Sequence, residues 1–150
     1  MVVVMQKQGH VLVTPASNHG ILDLEFARNG GRLKQLSLFW NPHDVRMNIY
    51  LDFVFILAYT LFFVTACNWI RIKKGWIKVS QTFTGIAVAA GLFDICENFL
   101  MLMVMNGRFD PWVLQIVFYC AAIKFIFAAA VILFILASFF IRPKQKTIQS

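Results

Sequence analysis

The chain has 150 residues, of which 59% are hydrophobic and only 14% charged, with 16 phenylalanines. A water-soluble domain carries about a quarter of its residues charged, so these proportions exclude a soluble globule and point to lipid as the solvent. The formal charge of +7 lies in the flanks of apolar segments rather than in a patch of its own, which argues against nucleic acid as a partner and for bilayer headgroups.

In chain order, the opening MVVVMQKQGH is too short an apolar run for a cleavable signal peptide. Residues 1–45 read as a small extracytoplasmic arm. Within it HVLVTPASNHGILDLEFA is β-branched and alternating, broken by Pro15 and by Asn18-His19-Gly20, and predicts one or two short strands or an extended segment. Leu33, Leu36, Phe39 and Trp40 then recur at helical spacing. A helix of about 11 residues cannot cross a bilayer, so it is placed at headgroup level with Trp40 at the boundary. His10, His19 and His43, with Asp23 and Glu25, are the arm's metal-ligating residue types. No two of them have ligand spacing on one element, and no histidine lies in a span where haem would need it; neither metal nor cofactor is expected.

Three segments are long enough to span, and together they predict an all-α membrane protein whose transmembrane domain covers residues 46–142, with a basic tail at 143–150. The first span runs from about Ile49 to Ile72. Asn41 suits a helix N-cap, Pro42 the first helical position and Asp44 the first turn, so the helix starts well before the lipid. Continued to Lys74 it is about 33 residues or roughly 50 Å long, and must project or tilt. The second span runs from about Val79 to Met105. The third opens at Asp110-Pro111 and continues to about Ile141, ahead of Pro143. Only NGRFD separates these two, so they form an antiparallel hairpin.

Arg71, Lys73, Lys74 and Lys78 flank the first connection, and Arg142, Lys144 and Lys146 the tail, with no acid in either. Across the membrane, Arg108 is balanced by Asp110, and in the N-terminal region five basic residues, Lys7, Arg28, Arg32, Lys34 and Arg46, face three acidic ones, Asp23, Glu25 and Asp44. The positive-inside rule then gives N-out, C-in, with anionic headgroups on the cytoplasmic side. Cys67, Cys96 and Cys120 lie in apolar runs without paired spacing and read as small buried side chains.

The second span contains GLFDICENF at 91–99. Asp94, Glu97 and Asn98 fall on one helix face, continued by Ala87, Ala90 and Gly91, whose small side chains admit a neighbouring helix. Folding the hairpin about its turn brings Asp94 level with Ile123, one residue from Lys124. An unpaired charge at mid-bilayer is disfavoured by about 2.5–3.5 kcal/mol on insertion scales, so an Asp94–Lys124 ion pair is expected. Glu97 is then a surplus carboxyl, either protonated and donating to Asn98, Tyr119 or a carbonyl, or reaching water or a second subunit. Asp52 and Tyr59, seven residues apart on one face of the first span, extend the polar track.

GILDLEFA at 20–27, LDFVFILAY at 51–59 and GLFDICEN at 91–98 resemble an uncharacterised family of small bacterial integral membrane proteins with an N-terminal arm and a D-x-x-E-N motif in the second span. The likeness runs over roughly residues 20 to 140. It implies placement in the bacterial cytoplasmic membrane and draws attention to Asp52, Asp94, Glu97 and Asn98; it brings no activity with it, and Lys124 lies outside its pattern.

Three functions compete. Small-residue helix faces and too little polar surface for a private pore favour a non-enzymatic membrane subunit that forms a homo-oligomer or joins a larger complex. A proton- or cation-coupled transport component would use Glu97 as its titrating group. An intramembrane enzyme on a lipid substrate would use Asp52 and the arm's histidines; no G-x-S-x-G, H-E-x-x-H, P-loop or dinucleotide fingerprint supports it.

Overall fold

A computed structural model describes residues 12–15, 17–26, 31, 36, 38–107 and 110–141, the side chains of Leu24 and Glu25 excepted. The described residues hold one short helix, α1 (Leu22–Glu25), and three long ones, α2 (Pro42–Lys74), α3 (Ile77–Met105) and α4 (Pro111–Phe140). The last three are each long and apolar enough to cross a membrane. The chain is an all-helical, multi-pass membrane protein.

Local chemistry sets the helix ends. Asn41 accepts the His43 N–H at 3.0 Å, and Pro42 opens α2, where its missing N–H costs nothing. Gly75, at φ 68°, closes the helix with its N–H on the Arg71 carbonyl. Asp110 holds the position before Pro111, but its side chain makes no cap bond; α4 starts on the backbone bond from Val113 N–H to the Asp110 carbonyl. Gly107, at φ 92°, makes the reversal after α3.

α2 and α4 both pack along α3 and scarcely touch each other. The outward faces are apolar, with Leu57, Leu61 and Phe62 of α2, Leu92 and Phe99 of α3, and Ile126, Leu133 and Phe139 of α4 all exposed. Asp94, Glu97 and Lys124 lie buried inside, the reverse of a soluble protein. Two apolar clusters close the ends of this bundle. One joins Val45, Ile49, Met101, Val104, Val113, Leu114 and Val117. The other joins Phe63, Cys67, Ile70, Ala87, Val131 and Phe134, with Phe83 and Phe134 stacked at 4.1 Å. At that second end the Lys74 ammonium donates to the carbonyls of Ser138 and Ile141, so the α2–α3 connection and the end of α4 share one level. At the first, Arg46 donates to Asn106 Oδ1 at 2.9 Å.

Three expectations are corrected here. Trp40 is buried rather than at a lipid boundary: with Leu12 and Leu36 it joins the first apolar cluster, its indole N–H donating to the Leu12 carbonyl at 2.8 Å. The arm thus packs over this end of the bundle, where the apolar pocket takes the indole ring and the Leu12 carbonyl satisfies its N–H. Among the described residues the arm holds no strand; Thr14 and Ser17 pair only across a turn around Pro15. Cys67 and Cys120 are buried, but Cys96 is exposed, about 200° around the helix from Asp94 at 100° per residue. The expected stretches at 1–11, 32–35 and 142–150, with His10 and Leu33, lie outside the described residues.

Candidate functional site: an intramembrane polar network beside a cleft

Between the two apolar clusters lies a polar layer. Asp94 falls 11 residues before the end of α3 and Lys124 13 residues after the start of α4, about 17 and 20 Å from the same end of the hairpin at 1.5 Å per residue. Equal depth brings them together: Lys124 Nζ donates to Asp94 Oδ1 at 2.8 Å. The ammonium also stands 2.9 Å from Glu97 Oε2. Glu97 is therefore not a surplus group, as the spacing had implied. One lysine stem reaches between two acids a turn apart, and Glu97, fully buried, is held behind it.

α2 supplies the other half. Tyr59 donates its hydroxyl to Asp94 Oδ2 at 2.8 Å, so each oxygen of that carboxylate has a donor. Asn98 donates Nδ2 to Asp52 Oδ2 at 2.8 Å. The structure thus gathers Asp94, Glu97, Lys124 and Tyr59 into one set and Asn98 with Asp52 into another, one turn away on the same face of α3. Tyr119 is not among them. It is 54% exposed on the outer side of α4, its ring against Phe118, five residues and about 140° around the helix from Lys124.

Because α2 and α4 stay apart, a half-open cleft of about 300 Å³ separates them over α3. Asp94, Asn98 and Met101 form its floor; Asp52, Tyr59, Phe55 and Phe63 line the α2 side, and Lys124, Phe125 and Ala128 the α4 side. That volume is at the lower end for small-molecule sites, and its make-up of apolar walls with a few convergent polar groups is typical of them. Several lining residues were not singled out from the sequence, Asn48 and Ile21 among them. Asn48 is buried four residues before Asp52, and that spacing was a readable signal. Ile21 of the arm also reaches the cleft, and Phe26 packs on Phe118 and Phe125 of α4; nothing in the sequence pattern announced either contact.

The histidines lie elsewhere. His19 is exposed, its backbone N–H bonded to Asp23 and its ring 3.7 Å from the same carboxylate, and His43 is exposed at the start of α2. Neither lines the cleft with Asp52. Among the described residues no group of His, Cys, Asp and Glu is arranged to hold a metal ion. No protein-family model, curated protein or solved structure matches the chain.

Proposed function

We propose that this protein is a non-enzymatic component of a bacterial cytoplasmic membrane, N-out and C-in, whose polar layer is an exchangeable site for protons or a cation. The family resemblance and the basic flanks of α2 and α4 support the placement; the coupled component is favoured over the inert subunit by the surroundings of Asp52. Asp52 lies in a polar layer between two apolar clusters with the neutral Asn98 amide as its donor and, among the described residues, no cation in ion-pair contact, whereas Lys124 sits against Asp94 and Glu97. An uncompensated carboxylate is costly in lipid, so a proton or a bound cation at Asp52 closes its balance.

A network serving only to fix helix register gains nothing from an opening beside it. Here Asp52 and Asp94 line a cleft, which gives exchange a route. The exchanging group in this reading is Asp52 rather than Glu97, since Asp52 is half-buried at the cleft whereas Glu97 is sealed behind Lys124. Three helices are too few for a private pore, so the site works within an assembly, as a homo-oligomer or a larger complex.

Infrared difference spectroscopy of the protein in lipid, across a pH step, tests this. The expected result is a protonated-carboxyl C=O band that appears and disappears with pH, is lost in Asp52→Asn and persists in Glu97→Gln. A spectrum without such a band in the unaltered protein overturns the reading.

A further inference from the structure

A second depression lies at the end of the bundle away from Trp40, between the start of α3 and the end of α4. It is a broad, open groove of about 740 Å³, walled by Trp76, Ile77, Phe134, Ala137 and Ile141, with Lys78 among its lining residues. Lys74 ties its two sides together: the ammonium stands 5.6 Å from the centre of a Trp76 ring and donates to the Ser138 and Ile141 carbonyls of the facing helix end. The Trp76 and Phe134 rings lie 6.5 Å apart across the groove. Lys74 is thus committed to the protein, and Lys78 is the charged side chain the groove presents.

The surrounding charge has one sign. Arg71 and Lys73 lie within four residues of Gly75 in the same wall, and the chain carries no acid between Asp52 and Asp94 or after Asp110. The first turn of α3 likewise has no acid and no capping side chain, so the positive end of that helix adds to the lysines. An anion complements this level. Yet Ile77 and Ile141 are also exposed here, beside Trp76 and Phe134, and a small inorganic anion would leave that apolar wall bare. One molecule with an anionic head and a hydrocarbon chain covers both. We infer that the α3–α4 groove seats one anionic glycerophospholipid, its phosphate on Lys78 and an acyl chain lying along Trp76 and Phe134. Basic flanks alone draw anionic headgroups diffusely; the groove gives a single lipid a defined place, and does so whatever the polar layer exchanges.

Native mass spectrometry of the full chain released from detergent tests this, with dioleoylphosphatidylglycerol titrated against dioleoylphosphatidylcholine of the same chain length. One phosphatidylglycerol per chain should be retained, and phosphatidylcholine at least about fivefold more weakly, the factor expected from one lysine near a charged surface. Lys78→Ala should weaken phosphatidylglycerol by about the same factor. Ala137→Phe fills the groove and leaves every cation in place, and it should remove most of the retained lipid. Both positions are exposed, so neither change disturbs the helix packing, and circular dichroism checks that the fold is kept. Excess glycerol phosphate, the head without the chains, should displace nothing. Equal retention of the two lipids, displacement by glycerol phosphate, or retention unchanged in either variant each overturns the inference: the first means bulk solvation by lipid, the second a free-anion site, the third diffuse attraction.

Discussion

Gly91 of α3 lies so close to Thr60 of α2 that a Cβ built on the glycine would stand 2.5 Å from the threonine Oγ1. The two helices meet here without space for a methyl group, one turn from Asp94. Tight approach at this level brings the α2 side chains Asp52 and Tyr59 within hydrogen-bonding distance of α3.

Gly91→Ala should therefore destabilise the bundle by about 1–3 kcal/mol, the usual range for overpacking. Thr60 is β-branched and has few rotamers to escape into. Thr60→Ala removes the atoms in the way, so the double variant should recover most of the loss. A double-mutant cycle on thermal unfolding in detergent measures this, and simple additivity of the two changes would count against the contact.

Lys124 is the second test. It contacts both Asp94 and Glu97, and both are buried. Lys124→Ala removes the ammonium that contacts both acids and should cost about 3–5 kcal/mol, the range for breaking a buried pair by removing one partner. Lys73→Ala, at an exposed position of the same formal charge, should cost less than about 1 kcal/mol. Comparable midpoint shifts for the two would sink the claim that this lysine organises the interior. Adding Glu97→Gln to Lys124→Ala should restore part of the stability, because one of the stranded charges goes with it.

Trp40 gives a third, local prediction. Its indole N–H holds the Leu12 carbonyl, and its ring fills the end of the bundle. Trp40→Phe keeps most of the apolar area and removes the donor, at a cost of about 0.5–1.5 kcal/mol for the bond and more if the carbonyl stays dry. The expected readout is faster proteolytic clipping within the first 40 residues while the three long helices keep their circular dichroism. Unchanged clipping would show that the arm is anchored by something else.

The spans, their capping residues and the antiparallel hairpin were readable because each has a one-dimensional cause: apolar length, Asn-Pro or Asp-Pro at a helix start, Asn-Gly at a reversal. Depth arithmetic across the short turn also sufficed for Asp94 and Lys124. It fixes level, however, and not the reach of a flexible side chain, so the second partner of Lys124 stayed hidden and Glu97 was read as surplus. Tyr119 was avoidable, since the rotation from Lys124 already turned it outward. The burial of Trp40 was not readable. Leucine and tryptophan at helical spacing look the same whether the helix lies on lipid or plugs a bundle, and only the Leu12 carbonyl and the apolar pocket decide between them.

The ammonium that meets the acids of α3 belongs to the helix synthesised after it. When α3 leaves the ribosome its two acids have no lysine to meet, and the translocon must release into lipid, or retain, a segment whose compensation is still unmade. Stable seating of α3 is thus expected to depend on the arrival of its successor. Nascent chains halted before residue 111 should be stripped from membranes by alkaline carbonate far more readily than full-length ones.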